Sequence, residues 1–141
     1  MARIIVINDT QEILELFRAI LEEEMGHEVI LDSYKPHMLD IIRELAPDLI
    51  ISDHVFGEEK IGFQLLQRLK MDRATARIPT IICSAAVKDL KEIEGYLMSK
   101  NVGVLYKPFE VDDLISLVNR KLAEISDPDV SHPEGDPSSK L

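Results

Sequence analysis

The chain reads as an α/β protein: one sheet of five parallel strands with helices on both of its faces. Three observations predict this. Five short apolar runs alternate with stretches of helical periodicity, the signature of repeated βα units. The runs are too uniformly apolar for a strand with one wet face, so they belong inside a sheet covered on both sides. Four of them also end in polar groups, Asn8-Asp9, Asp53, Ser84 and Lys107-Pro108, which gathers chemistry at the carboxyl edge of the sheet, where open α/β folds keep their sites.

The elements follow in order. The first strand is Arg3 to Ile7. Ile13, Leu16, Phe17, Ile20 and Leu21 then form one helical stripe, with Asp9 or Thr10 as its cap and Gly26 as its stop. A second strand, Glu28 to Leu31, leads to a helix beginning near Pro36, an acceptable first-turn residue, with the stripe Met38, Ile41, Ile42 and Leu45. The third strand is Asp48 to Ser52, and the third helix, between Gly62 and Met71, carries Leu65, Leu66 and Leu69. Pro79 is tolerable because it begins the fourth strand, Thr80 to Ser84, rather than interrupting it. The fourth helix, roughly Val87 to Lys100, has a less regular stripe and an internal Gly95, and is expected to be short or mobile. After the fifth strand, Val102 to Tyr106, a strongly amphipathic fifth helix carries Val111, Leu114, Ile115, Val118, Leu122 and Ile125. Right-handed crossovers place these five helices on both faces.

From Ser126 the composition shifts to Ser, Pro, Asp and Gly without apolar periodicity, so residues 126–141 are expected to be a disordered tail or linker after a single domain at 1–125. A chain of 141 residues leaves no room for a second folded domain.

Charge and cysteine usage narrow the function. Acidic residues outnumber basic ones 26 to 16, and a net charge of -10 repels nucleic acid phosphates and anionic membrane surfaces. Neither direct nucleic acid binding nor membrane association is expected. The amino terminus passes into a strand without a signal-type hydrophobic region, which predicts a cytoplasmic protein. Cys83 is the only cysteine, so an intrachain disulfide and a zinc cluster are excluded, and it reads as a small buried hydrophobe. The four histidines, at 27, 37, 54 and 132, share no ligand spacing, and only His54 adjoins a candidate group.

An aspartate at a strand end often just caps the following helix. Asp53 fits that reading less well, because His54-Val55-Phe56-Gly57 follows it instead of a helical pattern. If Asp9 lies across the gap on the first strand, two carboxylates converge and each makes the other harder to ionise. A divalent cation relieves that repulsion, and hard oxygen donors suit Mg²⁺, which needs only one or two protein carboxylates. Lys107 and Ser84 would supply an ammonium and a hydroxyl, the groups that hold the oxygens of a phosphoryl group. For Ser84, a helix N-cap is an equally open role from position alone.

With these motifs in place the chain resembles the receiver domain of bacterial two-component response regulators. The resemblance covers nearly all of residues 1–125 and rests on Asn8-Asp9, Pro47-Asp48-Leu49-Ile50-Ile51-Ser52-Asp53, Ile78-Pro79-Thr80-Ile81-Ile82-Cys83-Ser84-Ala85 and Lys107-Pro108-Phe109. It implies a flavodoxin-like, doubly wound sheet in the order 2-1-3-4-5 with five helices. It also implies that Asp53 accepts a phosphoryl group from a histidine kinase or phosphotransfer protein. Asp9, Asp53 and the main-chain carbonyl of Val55 would hold Mg²⁺, Asn8 would reach it through water, and Ser84 and Lys107 would bind the phosphoryl group. A cis peptide bond between Lys107 and Pro108 is a further implication. The module would signal in a phosphorelay, catalysing only its own phosphorylation and dephosphorylation, with a downstream protein, or a second copy in a homodimer, meeting the fourth and fifth helices.

Three departures from the family pattern qualify these implications. The family's acid pair reads Asn8-Asp9, so one negative charge is missing and metal binding is expected to be weak rather than abolished. The loop after Asp53, Val55 to Gly62, is one residue longer than usual and lacks the usual Pro, and neither Val55 nor Ala86 can orient a hydrolytic water, which predicts a long-lived phosphorylated state. The switch aromatic is replaced by Val104, and Tyr106 stands beside the lysine, on the opposite side of the strand pleat from it. A switch would then act through the loop after Ser84 and the fourth helix by population shift.

The alternative is a degenerate receiver that works as a phosphorylation-independent interaction module. A metal-dependent hydrolase would want a second acid at position 55, which is Val, and a flavin module would want a Gly- or Ser/Thr-rich phosphate loop where Asn8-Asp9 stands. The sequence leaves open whether the chain stands alone or belongs to a larger protein.

Overall fold

Five parallel strands form one sheet in the order β2-β1-β3-β4-β5, in a computed structural model that describes residues 1–54 and 61–126. The strands are β1 (Arg3–Ile7), β2 (Glu28–Asp32), β3 (Leu49–Asp53), β4 (Thr80–Ser84) and β5 (Gly103–Tyr106). The helices are α1 (Gln11–Arg18), α2 (Met38–Leu45), α3 (Ile61–Met71), α4 (Val87–Glu92), α5 (Glu94–Ser99) and α6 (Val111–Ser126). The expectations about Val55, the loop residues 55–60, the Ile125 side chain and the tail beyond 126 lie outside the described residues and side chains.

Register explains why these runs had to be buried on both sides. Ile5 pairs with Ile30 on one side and Ile50 on the other, Ile51 with Ile81, and Cys83 with Leu105. Side chains alternate across the sheet with a period of two. Ile4, Val6, Leu49, Ile51, Ile81, Cys83 and Leu105 therefore share one face, packed with Phe17 and Leu21 on the α1 side and Leu114, Leu117 and Val118 of α6. Ile5, Ile7 and Ile50 point the other way, onto Met38 and Ile42 of α2 and Leu65 and Leu69 of α3. A third cluster joins Leu66 and Ile82 to Leu90 and Leu97 of α4 and α5. Among the described residues no helix is long and apolar enough to cross a membrane.

The helices depart from the sequence expectation in instructive ways. α1 continues into a π-helical stretch over Ala19–Glu24, where Met25 N–H reaches back to the Ile20 carbonyl, before Gly26 ends it at φ 76°. Thr10 takes the N-cap position but its side chain makes no capping bond to the helix. The inner face uses Leu14, which is buried, whereas the expected Leu16 is 42% exposed. Leu16 lies about 200° around the helix from Leu14, so the two cannot both face the sheet. α2 starts at Met38 rather than near Pro36, and Ala46 closes it in the left-handed region at φ 47°.

The expected fourth helix is two short helices, which makes six α-helices among the described residues rather than five. The break falls at Ile93 (φ -109°, ψ 13°), whose N–H bonds to the Leu90 carbonyl three residues back. Gly95 sits inside α5, so the glycine is not the breakpoint; β-branched Ile93, a weak helix former packed against the third cluster, is. On α6 the expected Val111 is 40% exposed, and Leu117 and Lys121 take inner positions. Buried Lys121 is accommodated because its ammonium meets Asn101 O at 2.7 Å, Asn101 Oδ1 at 3.2 Å and Glu124 Oε2 at 3.2 Å.

Candidate functional site

The carboxyl ends of β1, β3 and β5 bring Asn8, Asp53 and Lys107 into contact. Parallel pairing forces this, because β1 and β5 flank the β3–β4 pair and all four strands finish at the same edge. Asp53 ends β3 with its side chain 13% exposed. Its Oδ2 accepts from Lys107 Nζ at 3.2 Å and from Asn8 Nδ2 at 3.3 Å, and its Oδ1 accepts from the N–H of His54 at 2.7 Å. At this degree of burial an ion pair is screened far less than on an open surface.

Ser84 stands one residue beyond Cys83, the cross-strand partner of Asp53, and is 3% exposed. Its Oγ accepts from the N–H of Ala86 at 3.0 Å, and its carbonyl accepts from the N–H of Lys107 at 2.9 Å, which ties the ends of β4 and β5 together. The capping position of α4 is Ala86, so the Ser84 hydroxyl organises the turn before the helix rather than the helix itself. Because that bond uses only a lone pair of Oγ, its proton remains available for donation. The Lys107-Pro108 peptide is cis. Phe109 then packs against Phe17 at 5.7 Å between ring centroids, anchoring the loop that carries Lys107 to α1.

Asp9 is exposed, with Thr10 Oγ1 at 3.5 Å from its Oδ1. Asn8 is buried, and its Oδ1 accepts the Thr10 N–H at 2.9 Å. The carboxylates of Asp9 and Asp53 are hard donors of the kind Mg²⁺ takes, so the donor chemistry fits that ion with most of its waters retained. Among the described residues no group of three or more His, Cys, Asp or Glu could hold a metal. Cys83 lies in the same sheet but is buried, and desolvation pushes its thiol up to about 12, outweighing the opposite pull of Lys107. It is inert as a nucleophile.

Two contributors escape sequence reasoning. The His54 N–H orients Asp53 through its backbone, which residue type cannot reveal. Gly62, in the first turn of α3, donates its N–H to the His54 carbonyl at 3.1 Å, and a Cβ there would fall on the carbonyl of Asp53. A glycine opening a helix beside a candidate site is the signal that could have found it.

The family model for the response regulator receiver domain matches residues 4–119. The chain belongs to this family. As a receiver it is 32% identical over 124 residues to the DNA-binding dual master transcriptional regulator RpaA of Synechocystis, covering 86% of this chain and 49% of that protein. It is 28% identical over 138 residues to the Synechocystis response regulator Rre1, covering 98% of this chain and 58% of that one. The receiver thus spans about half the length of these relatives. Among solved structures, a receiver domain from Clostridium thermocellum matches with a TM-score of 0.76 at 26% identity, covering 89% of this chain and 98% of that one. The chemotaxis response regulator CheY4 of Vibrio cholerae shares the fold, with a TM-score of 0.72 at 23% identity, covering 86% of this chain and 98% of that one. Receiver and response regulator place the chain in two-component signalling.

On the receiver's outer edge, β5 and α6 enclose a cleft of about 480 Å³ lined by Val104, Tyr106, Phe109, Asp113, Leu117 and Arg120. Val104 is half-buried and packs on the third cluster, whereas Tyr106 is 36% exposed at the end of the edge strand.

Proposed function

We propose that Asp53 is the phosphoacceptor of this receiver, taking a phosphoryl group from the phosphohistidine of a histidine kinase or phosphotransfer protein. The observation that carries this reading is the Lys107 ammonium at 3.2 Å from Asp53 Oδ2. A carboxylate oxygen attacks phosphorus, the new O–P bond forms as the N–P bond breaks, and the leaving imidazole keeps the electron pair and takes up a proton. The products are an aspartyl phosphate and a neutral histidine. Lys107 then pairs with a phosphoryl oxygen and the Ser84 hydroxyl donates to another, which compensates charge that the Asp53 environment could not otherwise hold.

Asp9 and Asp53, with the Val55 carbonyl expected beside them, would hold Mg²⁺, which when bound offsets the negative charge of the incoming group. The proton that completes the transfer goes to the histidine of the donor. Output would follow from Lys107 and Ser84 moving onto the phosphoryl group and shifting the turn at Ala85-Ala86, then α4 and α5 and the edge formed by β5 and α6, where a downstream protein or a second copy would bind. A cytoplasmic setting suits this donor chemistry.

Intact mass spectrometry after incubation with Mg²⁺ and acetyl phosphate tests the reading. One phosphoryl adduct on the wild type and none on Asp53→Ala is the expected result. No wild-type adduct would remove the proposal and leave the phosphorylation-independent interaction module. An adduct that persists in Asp53→Ala would move the site elsewhere.

A further inference from the structure

Asn8 does more than lack a charge. Its backbone is fixed at the end of β1 by an N–H bond to the Asp32 carbonyl at 3.0 Å, and its side chain is buried. The Thr10 N–H at 2.9 Å can only be met by an acceptor, so the carbonyl end of the amide must face Thr10. The NH₂ end is left facing Asp53, 3.3 Å from Oδ2. A carboxylate at position 8 would present an oxygen there; the amide presents a donor.

We infer that Asn8 is a positioning residue that competes with the divalent cation for Asp53, its NH₂ occupying a ligand direction of Oδ2 and holding the phosphoacceptor in place before any cation arrives. The inference rests on the proposed reading of Asp53. Three protein donors, from Asn8, Lys107 and the His54 backbone, already orient the two carboxylate oxygens. A cation that approaches Oδ2 from the Asn8 side has to displace the amide, so two separate effects weaken metal binding: one charge fewer, and one ligand oxygen already engaged.

The two effects separate in Asn8→Ala, which removes the donor without restoring the charge. Loss of charge alone predicts Mg²⁺ affinity equal to or below that of the wild type, because the amide oxygen is lost as well. Competition predicts tighter binding, by up to ~10-fold, the scale on which groups around a metal ligand act. Isothermal titration of the full chain with MgCl₂ reads this directly, and Asn8→Asp, which gains charge and loses the donor, should bind more tightly still. Equal or weaker binding by a folded Asn8→Ala would overturn the inference.

A second measurement does not depend on how Asn8→Ala folds. The Asn8 side-chain ¹⁵N–¹H₂ resonances of the wild type should move when Mg²⁺ is added, and those of metal-free Asp53→Ala should differ from those of the metal-free wild type. Resonances unmoved in both experiments would overturn the competition. Because both readouts follow metal and amide, they are independent of the phosphoryl adduct: a wild type that forms the adduct while Asn8→Ala fails to gain affinity would refute the role of Asn8 alone.

Discussion

Lys107 Nζ and Asn8 Nδ2 meet on the same oxygen of Asp53, at 3.2 and 3.3 Å. A charged and a neutral donor thus share one acceptor atom, and removing the charged one leaves the carboxylate oriented but uncompensated. Lys107→Met is therefore expected to lose about 1–3 kcal/mol of stability, between the values for exposed and buried pairs. Urea unfolding checks that, and intact mass should show a phosphoryl adduct forming at least about tenfold more slowly, the scale of losing one charge-stabilising donor. An unchanged rate would mean that Lys107 does not touch the phosphoryl group.

Two glycines in helices should respond in opposite directions. Gly62→Ala puts a methyl onto the Asp53 carbonyl and close to the His54 backbone, so α3 must shift, at a cost of roughly 1–3 kcal/mol. Gly95→Ala meets nothing within 4 Å and should stabilise α5 by up to ~1 kcal/mol. Thermal unfolding of both variants under one set of conditions is sufficient, and the adduct yield of Gly62→Ala should fall with the displacement of Asp53.

Lys70 gives the fold a pH dependence above neutrality. Its ammonium reaches the carbonyls of Ala76 and Ile78, each at 3.2 Å, and burial, followed by the charge of Lys121, lowers it from 10.5 to about 8. Between about pH 8 and 10.5 the unfolded chain keeps a proton that the folded chain has released, so stability rises with pH across that window and is lost as pH falls through about 8. The shift corresponds to at most about 3 kcal/mol. The difference in unfolding free energy between wild type and Lys70→Met, followed from pH 7 to 11 on the scale of a lysine titration, should change by ~1–3 kcal/mol in the wild type's favour. A difference that stays constant would place the Lys70 titration outside this range.

The aspartyl phosphate should be slow to hydrolyse. Ala86, which follows the turn held by Ser84, has no polar side chain to orient an attacking water. Phosphate loss from the isolated, phosphorylated chain should take hours, and decay within seconds would show that another group performs that task. Ala86→Glu is expected to shorten the lifetime.

Much of the fold is written in local pattern. The strand runs could be placed to within about a residue because an interior parallel strand needs a short, unbroken apolar run, and few other elements do. Helix faces are less legible. Leu14 and Leu16 are equally apolar, and only the angle at which α1 meets the sheet selects Leu14. Likewise the sequence marks Gly95 as the weak point of the fourth helix, whereas the chain breaks at Ile93, which packs against the third hydrophobic cluster. Lys121 is invisible as an inner residue until the Asn101 turn that satisfies its ammonium is in place.

The sequence by itself determined that five βα units would order their strands in parallel and set Asn8, Asp9, Asp53, Ser84 and Lys107 at one edge, since residue spacing fixes where each strand ends. Tertiary structure alone decided which atoms meet there. Asparagine carries a donor and an acceptor on one side chain, and nothing in its position says which end faces Asp53. The Thr10 N–H decides it by claiming the oxygen, and so a residue that reads in the sequence as one charge too few becomes, in the fold, a hydrogen-bond donor held against the carboxylate.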